Sequence, residues 1–311
     1  MQQSDLINCQ KRITPYINRT PVFTSRILNK LSGADLYFKC ENFQRIGAFK
    51  MRGAANAILQ LTEEQKKKGV VTHSSGNFAQ ALSLAAQNSG IKAYIIMPSN
   101  ASSVKKEAVK GYGGEIIECE PTLIAREFAA KCIEDEKGAT FIHPYDNMDV
   151  ISGQATACME LLEECPDLDA VFAPIGGGGL IAGTALAAHF FSNKCKTFGG
   201  EPFEADDAYR SMQTGKIENN KTTNTIADGL KTDLGTINFP IIQQHVQEII
   251  RVTENEIITA MKLIWERMKI VVEPSSAVAL AALLNQKEKF KNKKIGIILS
   301  GGNIDLKKLP F

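Results

Sequence analysis

The stretch "PIGGGGLIAG", residues 174–183, places four consecutive glycines between an apolar β-type run and a helical pattern. Glycine lets backbone N–H groups approach an anion closely, and the N-terminus of the following helix adds the positive end of its dipole. A tight turn or a flexible linker is the simpler explanation, but a linker would lie in polar surroundings. We therefore predict a phosphate cradle formed by Gly176, Gly177, Gly178 and Gly179.

Outward from this loop, short β-rich runs alternate with helical patterns along the chain. The runs are "ADLYFKCE", "GVVTHSS", "KAYIIMP", "GEIIECE", "ATFIHPY", "DAVFAPI", "KTFGGE" and "KIGIILS". Such alternation predicts βαβ units and an α/β fold, with mostly parallel sheets covered by helices. Four runs fall between residues 69 and 146. We therefore expect a small domain (residues 61–146) that closes over a substrate cleft in a large domain (residues 1–60 and 147–311).

Composition excludes several classes of protein. The 311 residues are 44% hydrophobic and carry 36 basic against 34 acidic side chains, so no nucleic-acid partner is expected. The first residues lack an apolar signal-peptide core, and no apolar run is long enough for a membrane span. We thus expect a cytoplasmic location and no membrane partner. Seven scattered cysteines without a C-x-x-C pair predict reduced thiols rather than disulfides or a zinc site.

A second loop, "HSSGNFAQAL" at residues 73–82, follows a β run and opens an alanine-rich helix. Ser74, Ser75 and Asn77, with nearby backbone amides, would point at one anionic group, and a carboxylate fits. Helix N-capping is the simpler explanation, since serine and asparagine are ordinary cap residues. Two serines, a glycine and an asparagine exceed that need, so we interpret the loop as a carboxylate site.

Two further features indicate a cofactor. "LSGGN", residues 299–303, presents Ser300 at the end of a β run, although a plain glycine turn has the same pattern. Lys50, between Phe49 and Met51, is expected to be buried, although most lysines are surface groups. A desolvated lysine amine has a lowered pKa and condenses with aldehydes. A phosphate cradle together with such a lysine indicates pyridoxal phosphate.

Two other classes of protein remain as alternatives. The glycine loop also satisfies G-x-G-x-x-[GA] with Gly177, Gly179 and Ala182. Glu201 follows at a distance typical of a dinucleotide site, as in a dehydrogenase. A dehydrogenase, however, gives no purpose to the other three features. A binding protein without catalysis would have little reason to keep the lysine and both serine-containing loops together.

The order and spacing of several motifs resemble those of the fold-type II pyridoxal-phosphate enzymes. These motifs are "FQRIGAFKMRGAANA", "HSSGNFAQAL", "PIGGGGLIAG", "EPFEADD" and "LSGGN". Within that family the chain is most similar to serine racemases and serine/threonine dehydratases, over nearly its whole length. The resemblance implies two open, mostly parallel twisted sheets with flanking helices, as in tryptophan synthase β-like proteins. It also implies a homodimer.

The resemblance further implies roles for individual residues. Lys50 resembles the lysine that binds the cofactor covalently, and Phe49 resembles the residue packed on one face of the cofactor ring. Asn77 resembles the partner of the ring hydroxyl. Ser300 resembles the partner of the pyridine nitrogen, and a hydroxyl there makes the ring a milder electron sink than a carboxylate would.

A reaction follows from the same resemblance. Lys50 would remove the α-proton of an amino acid whose carboxylate is held by Ser74–Asn77, with help from Arg126. Loss of a β-hydroxyl would give a keto acid and ammonia. Ser75 resembles an acid on the opposite face, which would give racemisation instead.

We predict deamination of L-serine and/or L-threonine as the main reaction, with some serine racemisation. The alternatives are serine racemase as the main activity, or a 3-hydroxyaspartate ammonia-lyase. Tyr145, in "HPYDN", is closer to the lyases than to mammalian racemases, which carry asparagine there. Phe78 replaces a histidine of many relatives, so substrate size or carboxylate placement is expected to differ.

A cation and a nucleotide complete the expectations. Glu201, the carbonyl of Ala205 and Asp207 match the divalent-cation ligands of serine racemase, and all-oxygen ligation suits Mg²⁺ or Ca²⁺. An acidic surface loop is the simpler explanation. The resemblance also implies ATP as an activator at the subunit interface, although Arg45 and Ile46 depart from the related residues.

Overall fold

A computed structural model describes residues 1–311, apart from the side chain of Lys308. Strands and helices alternate along the chain, as the sequence pattern predicts. In the described chain the strands are β1 (Val22–Phe23), β2 (Asp35–Cys40), β3 (Val70–His73), β4 (Ala93–Pro98), β5 (Glu115–Cys119), β6 (Thr140–Phe141), β7 (Ala170–Pro174), β8 (Lys196–Pro202), β9 (Val246–Val252) and β10 (Lys294–Leu299).

The α-helices range from six to 17 residues in length. No helix among the described residues is both long enough and apolar enough to cross a lipid bilayer. They are α1 (Gln3–Ile13), α2 (Arg26–Ser32), α3 (Lys50–Leu59), α4 (Glu63–Lys68), α5 (Asn77–Asn88), α6 (Ser103–Gly111), α7 (Leu123–Lys137), α8 (Met148–Glu164), α9 (Gly179–Phe191), α10 (Asp207–Thr214), α11 (Asn238–His245), α12 (Glu254–Met268) and α13 (Pro274–Asn285).

The larger sheet has six strands in the order β1-β2-β10-β7-β8-β9. Neighbouring strands pair in parallel, except that β1 runs antiparallel to β2. Because parallel strands end at the same edge of a sheet, the loops that follow β7, β8 and β10 meet at one edge. The glycine loop after β7 and the Ser300 turn after β10 are therefore neighbours.

The smaller sheet has four parallel strands in the order β5-β4-β3-β6. The predicted α/β fold with two mostly parallel sheets and flanking helices is thus confirmed. Helix α3 packs against α5, which covers the smaller sheet, and against α8, which covers the larger one. Lys50, the first residue of α3, therefore lies between the two sheets. The domain boundaries at residues 61 and 146 stay a prediction.

The main core lies on both faces of the larger sheet. Helices α12 and α13 cover one face, and helices α8, α9 and α11 cover the other. At the centre of the first layer, the rings of Phe172 and Phe198 stack with their centroids 5.2 Å apart. Burial on both faces explains why the central strands appear in the sequence as nearly continuous apolar runs.

Two strands of the larger sheet, β1 and β9, are not predicted by the sequence pattern. β1 contains only two residues and follows Pro21, so no periodicity can develop. β9, "VQEIIRV", is an edge strand whose polar side chains are exposed or half-buried. It lacks the continuous apolar run that identifies the central strands.

Four charged side chains form a buried cluster at the first turn of α3: Lys39, Glu41, Arg52 and Glu160. Arg52 donates a hydrogen bond from Nε to Glu41 and another from Nη1 to Glu160, both at 2.7 Å. Lys39 Nζ lies 2.7 Å from the second carboxylate oxygen of Glu160. Two positive charges thus balance two negative charges. Since Arg52 lies two residues after Lys50, the cluster holds the segment that presents Lys50.

We expect Arg52→Ala to lower the free energy of unfolding by about 3–5 kcal/mol, because buried Glu41 and Glu160 would lose their shared partner. Arg267 is a matched control, since its side chain is 45% exposed and lies 3.7 Å from Glu266. Arg267→Ala should change the unfolding free energy by less than about 0.5 kcal/mol. Chemical denaturation followed by circular dichroism measures both. Equal stability of the two variants would contradict the structural role of the cluster.

Candidate active site

The glycine loop connects β7 to α9 at the carboxyl edge of the larger sheet. Gly176, Gly177, Gly178 and Gly179 are all buried. Among the described residues, none of their four backbone N–H groups has a hydrogen-bond acceptor. Helix α9 begins at Gly179, so its dipole adds positive potential at the same place. Buried, unpaired donors at a helix N-terminus form an anion site, and a phosphate group fits it.

Close packing explains why glycine occupies these positions. A Cβ atom on Gly177 would lie 2.5 Å from the ring of Tyr145. Gly178 has a φ of +90°, and a Cβ atom there would lie 2.5 Å from Asn238 Oδ1. Asn238 Nδ2 also donates to the carbonyl of Gly177 at 2.7 Å. The loop is thus held in shape by side chains while its N–H groups stay free for a ligand.

Lys50 begins α3, and the preceding residue is fixed by a backbone hydrogen bond from Phe49 N to Ser300 O at 3.0 Å. The Lys50 amine donates to the carbonyl of Pro144 at 2.8 Å. Three rings surround Nζ, with centroids at 5.1 Å for Phe49, 5.6 Å for Phe78 and 5.9 Å for Tyr145. The amine therefore lies in a largely apolar environment.

This environment changes the acidity of Lys50. Burial lowers the pKa of Lys50 to about 8, and the nearby carboxylate of Glu273 opposes the shift. A substantial fraction of the amine is therefore neutral near physiological pH. Only the neutral amine attacks an aldehyde or accepts a proton, so Lys50 is suited to both tasks.

Asn77 begins α5 and is held by Glu273, at the start of α13, and by Asn303, which follows β10. Its Nδ2 donates to Glu273 Oε1 at 3.0 Å, and its Oδ1 accepts from Asn303 Nδ2 at 2.9 Å. Burial, together with the charge of Asp228, raises the pKa of Glu273 to about 7. Ser300 is buried nearby, at the end of β10, and its hydroxyl makes no hydrogen bond with the described residues. Ser300 Oγ is thus available to a bound group.

The loop that contains Ser74 and Ser75 is half-buried between β3 and α5. Ser74 Oγ accepts from Gly76 N at 3.3 Å, which accounts for part of its hydrogen-bonding capacity. Arg126 lies in α7 and donates from Nε to the carbonyl of Thr122 at 3.3 Å. Among the described residues, no hydrogen bond joins Arg126 to this loop, but burial and the nearby charge of Arg126 lower the pKa of His73, which precedes the two serines.

Residues 143–146, "HPYD", link the smaller sheet to the glycine loop. His143 Nδ1 accepts from Asp146 N at 2.9 Å, so the neutral ring carries its proton on Nε2. Burial, with His73 nearby, lowers the pKa of His143 to about 4. Asp146 Oδ1 in turn accepts from Asn238 N at 3.0 Å. One short turn thereby positions the acceptor of the Lys50 amine, the ring that packs on the glycine loop, and the start of α11.

Of the three residues predicted to bind a cation, Glu201 lies in β8, Ala205 in the loop that follows, and Asp207 at the start of α10. Glu201 and Asp207 are fully buried, and among the described residues neither forms an ion pair. Burial raises the pKa of Asp207 to about 7 and that of Glu201 well above its ordinary value. Ala205 is also buried, and its carbonyl oxygen accepts no hydrogen bond from the described residues. Two buried carboxylates without a described cationic partner, together with this carbonyl, fit a hard divalent cation.

Backbone and solvent oxygens would have to supply part of such a coordination shell. Within the described part of the chain, no group of three or more His, Cys, Asp or Glu side chains could hold a metal ion. Glu201 also accepts hydrogen bonds from Ala208 N at 2.9 Å and Tyr209 N at 2.8 Å. These bonds orient its carboxylate at the start of α10.

Sequence reasoning missed three residues that hold this site. Glu273 orients Asn77, Asp146 caps α11, and Asn238 supports the glycine loop. Glu273 had a detectable signature, because an acidic residue followed by proline ends the apolar run "KIVVE" before an alanine-rich helix. Asn238 and Asp146 lie in segments without a distinctive pattern.

A phosphate cradle, a lysine amine with a lowered pKa and a buried hydroxyl beside one sheet edge define an enzyme of aldehyde-cofactor chemistry. Residues 13–301 match the family described as "Pyridoxal-phosphate dependent enzyme". The chain belongs to this family, and pyridoxal phosphate is its cofactor. The four unpaired N–H groups suit the phosphate of this cofactor, and Lys50 suits its aldehyde.

Relatives with assigned activities agree with this membership. The serine racemase of Dictyostelium discoideum is 51% identical over 97% of this chain and 94% of its own length. Its crystal structure superposes with a TM-score of 0.95 over 98% of this chain and 99% of that one. The beta-hydroxyaspartate dehydratase of Paracoccus denitrificans is 48% identical over 99% of this chain and 98% of its own length. A threonine deaminase structure from T.th. is 40% identical, with a TM-score of 0.93 over 98% of this chain and 99% of that one.

We expect the attachment of pyridoxal phosphate to the cofactor-free protein to accelerate with pH and to be half-maximal near pH 8. The lowered pKa of Lys50 makes half of the amine neutral there, far below the pH that an ordinary lysine requires. The rate of appearance of the protein-bound cofactor absorbance measures this profile. Lys50→Ala should abolish the attachment.

Glu273→Gln separates the effect of burial on the pKa of Lys50 from the effect of the Glu273 charge. Removing the negative charge of Glu273 should shift the midpoint to lower pH, because that charge favours the protonated form of Lys50. A midpoint above about 10 in the unmodified protein would show that Lys50 behaves as a solvated lysine.

Proposed function

We propose that this protein is a pyridoxal-phosphate-dependent ammonia-lyase for β-hydroxy amino acids. Its main reaction is removal of water from L-serine and/or L-threonine, giving a 2-keto acid and ammonia. Racemisation of serine is a second activity. The observation that carries the proposal is the combination of Lys50, whose amine has a lowered pKa, with the neutral Ser300 hydroxyl. A hydroxyl partner favours elimination over transamination because it does not keep a proton on the ring nitrogen.

The residues of this chain divide the binding of the cofactor among them. The N–H groups of Gly176–Gly179 would bind the phosphate, and Lys50 would form the covalent attachment. Phe49 would pack against the ring, Asn77 would bind the ring hydroxyl and Ser300 would bind the ring nitrogen. When bound, pyridoxal phosphate withdraws electrons from the α-carbon of an amino acid and so acidifies its α-proton.

Proton transfer is the task of Lys50. Its neutral amine removes the α-proton, and the apolar rings of Phe49 and Phe78 exclude water from this transfer. The substrate carboxylate is held by Ser74–Asn77 at the N-terminus of α5. Arg126, on α7 of the same predicted small domain (residues 61–146), adds positive charge near this carboxylate. Departure of the β-hydroxyl then commits the substrate to the keto acid.

Ser75 determines the second activity. A hydroxyl on the face opposite Lys50 returns a proton to the α-carbon and inverts its configuration. Removal of water and racemisation thus compete for the same deprotonated substrate.

Each of the two alternative activities is supported by a particular observation. Relatives named as serine racemases favour racemisation as the main activity. Relatives named as beta-hydroxyaspartate dehydratase and L-threo-3-hydroxyaspartate ammonia-lyase favour a substrate with a second carboxylate. Tyr145 supports the lyases, since its ring packs on Gly177 where mammalian racemases carry a smaller amide. Phe78 is buried beside the Lys50 amine, which favours a small, uncharged substrate side chain.

With L-serine as the substrate, we expect the amount of pyruvate formed to exceed the amount of D-serine formed when both products are measured in the same reaction. Ser75→Ala should lower the formation of D-serine by about 10²-fold or more while retaining most pyruvate formation, since it removes one proton donor only. Ser74→Ala is the matched control and should weaken substrate binding without changing the ratio of products. Chromatography of both products measures the partition.

Each outcome of this assay assigns the activity. D-serine equal to or above pyruvate would make racemisation the main reaction. Turnover of 3-hydroxyaspartate with neither serine product would make the protein a hydroxyaspartate lyase. Lys50→Ala should remove all of these activities.

We also propose that Glu201, the carbonyl of Ala205 and Asp207 bind Mg²⁺ or Ca²⁺, which stabilises the edge of the larger sheet. The support is that, among the described residues, the two buried carboxylates have no cationic partner and the Ala205 carbonyl accepts no hydrogen bond. Activation by ATP stays a prediction, as does the cytoplasmic location. Ile46, which follows exposed Arg45, has a φ of 61°, a conformation that a nucleotide site there would have to accommodate.

The protein is proposed to form a homodimer through the surface around β1 and α2. Phe23, Ile27 and Leu31 are between 38% and 50% exposed within one short segment. Phe23 also contacts the ring of Phe43, which is 45% exposed, with centroids 6.0 Å apart. A group of exposed apolar side chains of this kind is typical of a protein interface.

We expect light scattering to give a molar mass of twice the chain. Ile27→Glu combined with Leu31→Glu should reduce it to that of one chain, because burial of two carboxylates opposes association. Ile124→Glu is the control, since Ile124 is 79% exposed on α7 and lies outside this surface. A dimer that survives the double substitution would place the interface elsewhere.

A further inference from the structure

Arg251 occupies an unusual position beside the loop that follows β8. It lies on edge strand β9, in register with Glu201 on β8. Its guanidinium carbon lies over two aromatic rings, 4.6 Å from the centroid of Phe203 and 4.0 Å from that of Tyr209. Cation–π contact of one guanidinium with both rings helps to hold them in place.

The same guanidinium also forms an ion pair within the loop. Arg251 Nη1 donates to Asp206 Oδ2 at 2.8 Å. Arg210 Nε donates to the other oxygen, Asp206 Oδ1, at 2.7 Å. Burial alone would raise the pKa of Asp206, but the two arginines outweigh it and hold that pKa below its usual range. Asp206 is thus a charged anchor fixed from two sides.

The three residues that Arg251 contacts, Phe203, Asp206 and Tyr209, alternate along the chain with the proposed cation ligands. Phe203 lies midway between Glu201 and Ala205, and Tyr209 lies two residues after Asp207. The backbone N–H of Tyr209 also donates to Glu201 Oε2 at 2.8 Å. Arg251 therefore contacts residues between the proposed ligands, at Phe203 and Asp206, and after them, at Tyr209.

We propose that Arg251 is a positioning residue for the divalent cation. It holds residues 203–209 in one conformation, so that the Ala205 carbonyl and the carboxylate of Asp207 need not be ordered when the cation binds. Preorganisation of this kind increases affinity because less conformational entropy is lost on binding. The inference rests on the cation site proposed above.

The charge of Arg251 and its proposed positioning role predict opposite effects on cation affinity when Arg251 is replaced. A positive charge near a cation weakens binding by repulsion, so removing it should increase the affinity if charge alone matters. If Arg251 acts through stacking and its bond to Asp206, removing it should decrease the affinity. The sign of the change therefore separates the two roles.

The experiment is calorimetric titration of the holoenzyme, stripped of divalent cations by chelation, with Mg²⁺ and Ca²⁺. Arg251→Met removes the charge and Arg251→Lys keeps it, and both should bind the cation about tenfold more weakly. Arg267→Met, at an exposed arginine on α12, should bind like the unmodified protein. Unchanged binding by both Arg251 variants, or tighter binding by Arg251→Met, would overturn the inference.

Two further variants keep the result interpretable. Glu201→Gln should abolish the titration, and if the unmodified protein shows no Glu201-dependent binding, the cation site itself is refuted rather than the role of Arg251. Tyr209→Leu changes no charge and removes one stacked ring, so it should also weaken binding. If the Arg251 variants fail to fold, as judged by circular dichroism, unchanged affinity in Tyr209→Leu overturns the inference.

Discussion

The structure depends on four buried N–H groups that no described residue satisfies. An unpaired buried donor costs about 1–3 kcal/mol, so four of them in Gly176–Gly179 make an anion part of the folded architecture rather than an addition to it. The surrounding residues keep these groups unpaired. Tyr145 and Asn238 fill the space where side chains would otherwise be, and Gly178 adopts a backbone conformation that favours glycine. The phosphate cradle is therefore preformed.

The rest of the site is assembled across the two sheets. Lys50 lies beside the loops of the larger sheet but donates to Pro144, which follows the smaller sheet. Asn77 begins a helix of the smaller sheet but binds Glu273 at the start of α13. These contacts place the reactive amine at the junction of two units. A movement between the sheets would thus change the surroundings of the amine directly.

The proposed cation loop is connected to the phosphate cradle by a short path. Asp207 Oδ2 accepts from Leu234 N at 2.8 Å. A side-chain carbon of Leu234 lies 2.8 Å from the position that a Cβ atom on Gly178 would occupy. Both loops follow neighbouring parallel strands, β7 and β8, so they share one edge of the sheet. Ordering of the cation loop would therefore support the packing around the cofactor phosphate, which fits a structural role for the cation.

The α/β class, eight of the strands, the family, and the glycine loop and lysine that identify the cofactor could all be predicted from the sequence. These features depend on local pattern: hydrophobic period, turn chemistry and the position of a loop between strand and helix. The folded chain was needed to see that Glu273 orients Asn77 and that Pro144 holds the Lys50 amine. Edge strand β9 and the partners of Arg251 belong to the same group. Such contacts join residues far apart in the chain, so they depend on which strands pair and how helices pack, which no local pattern encodes.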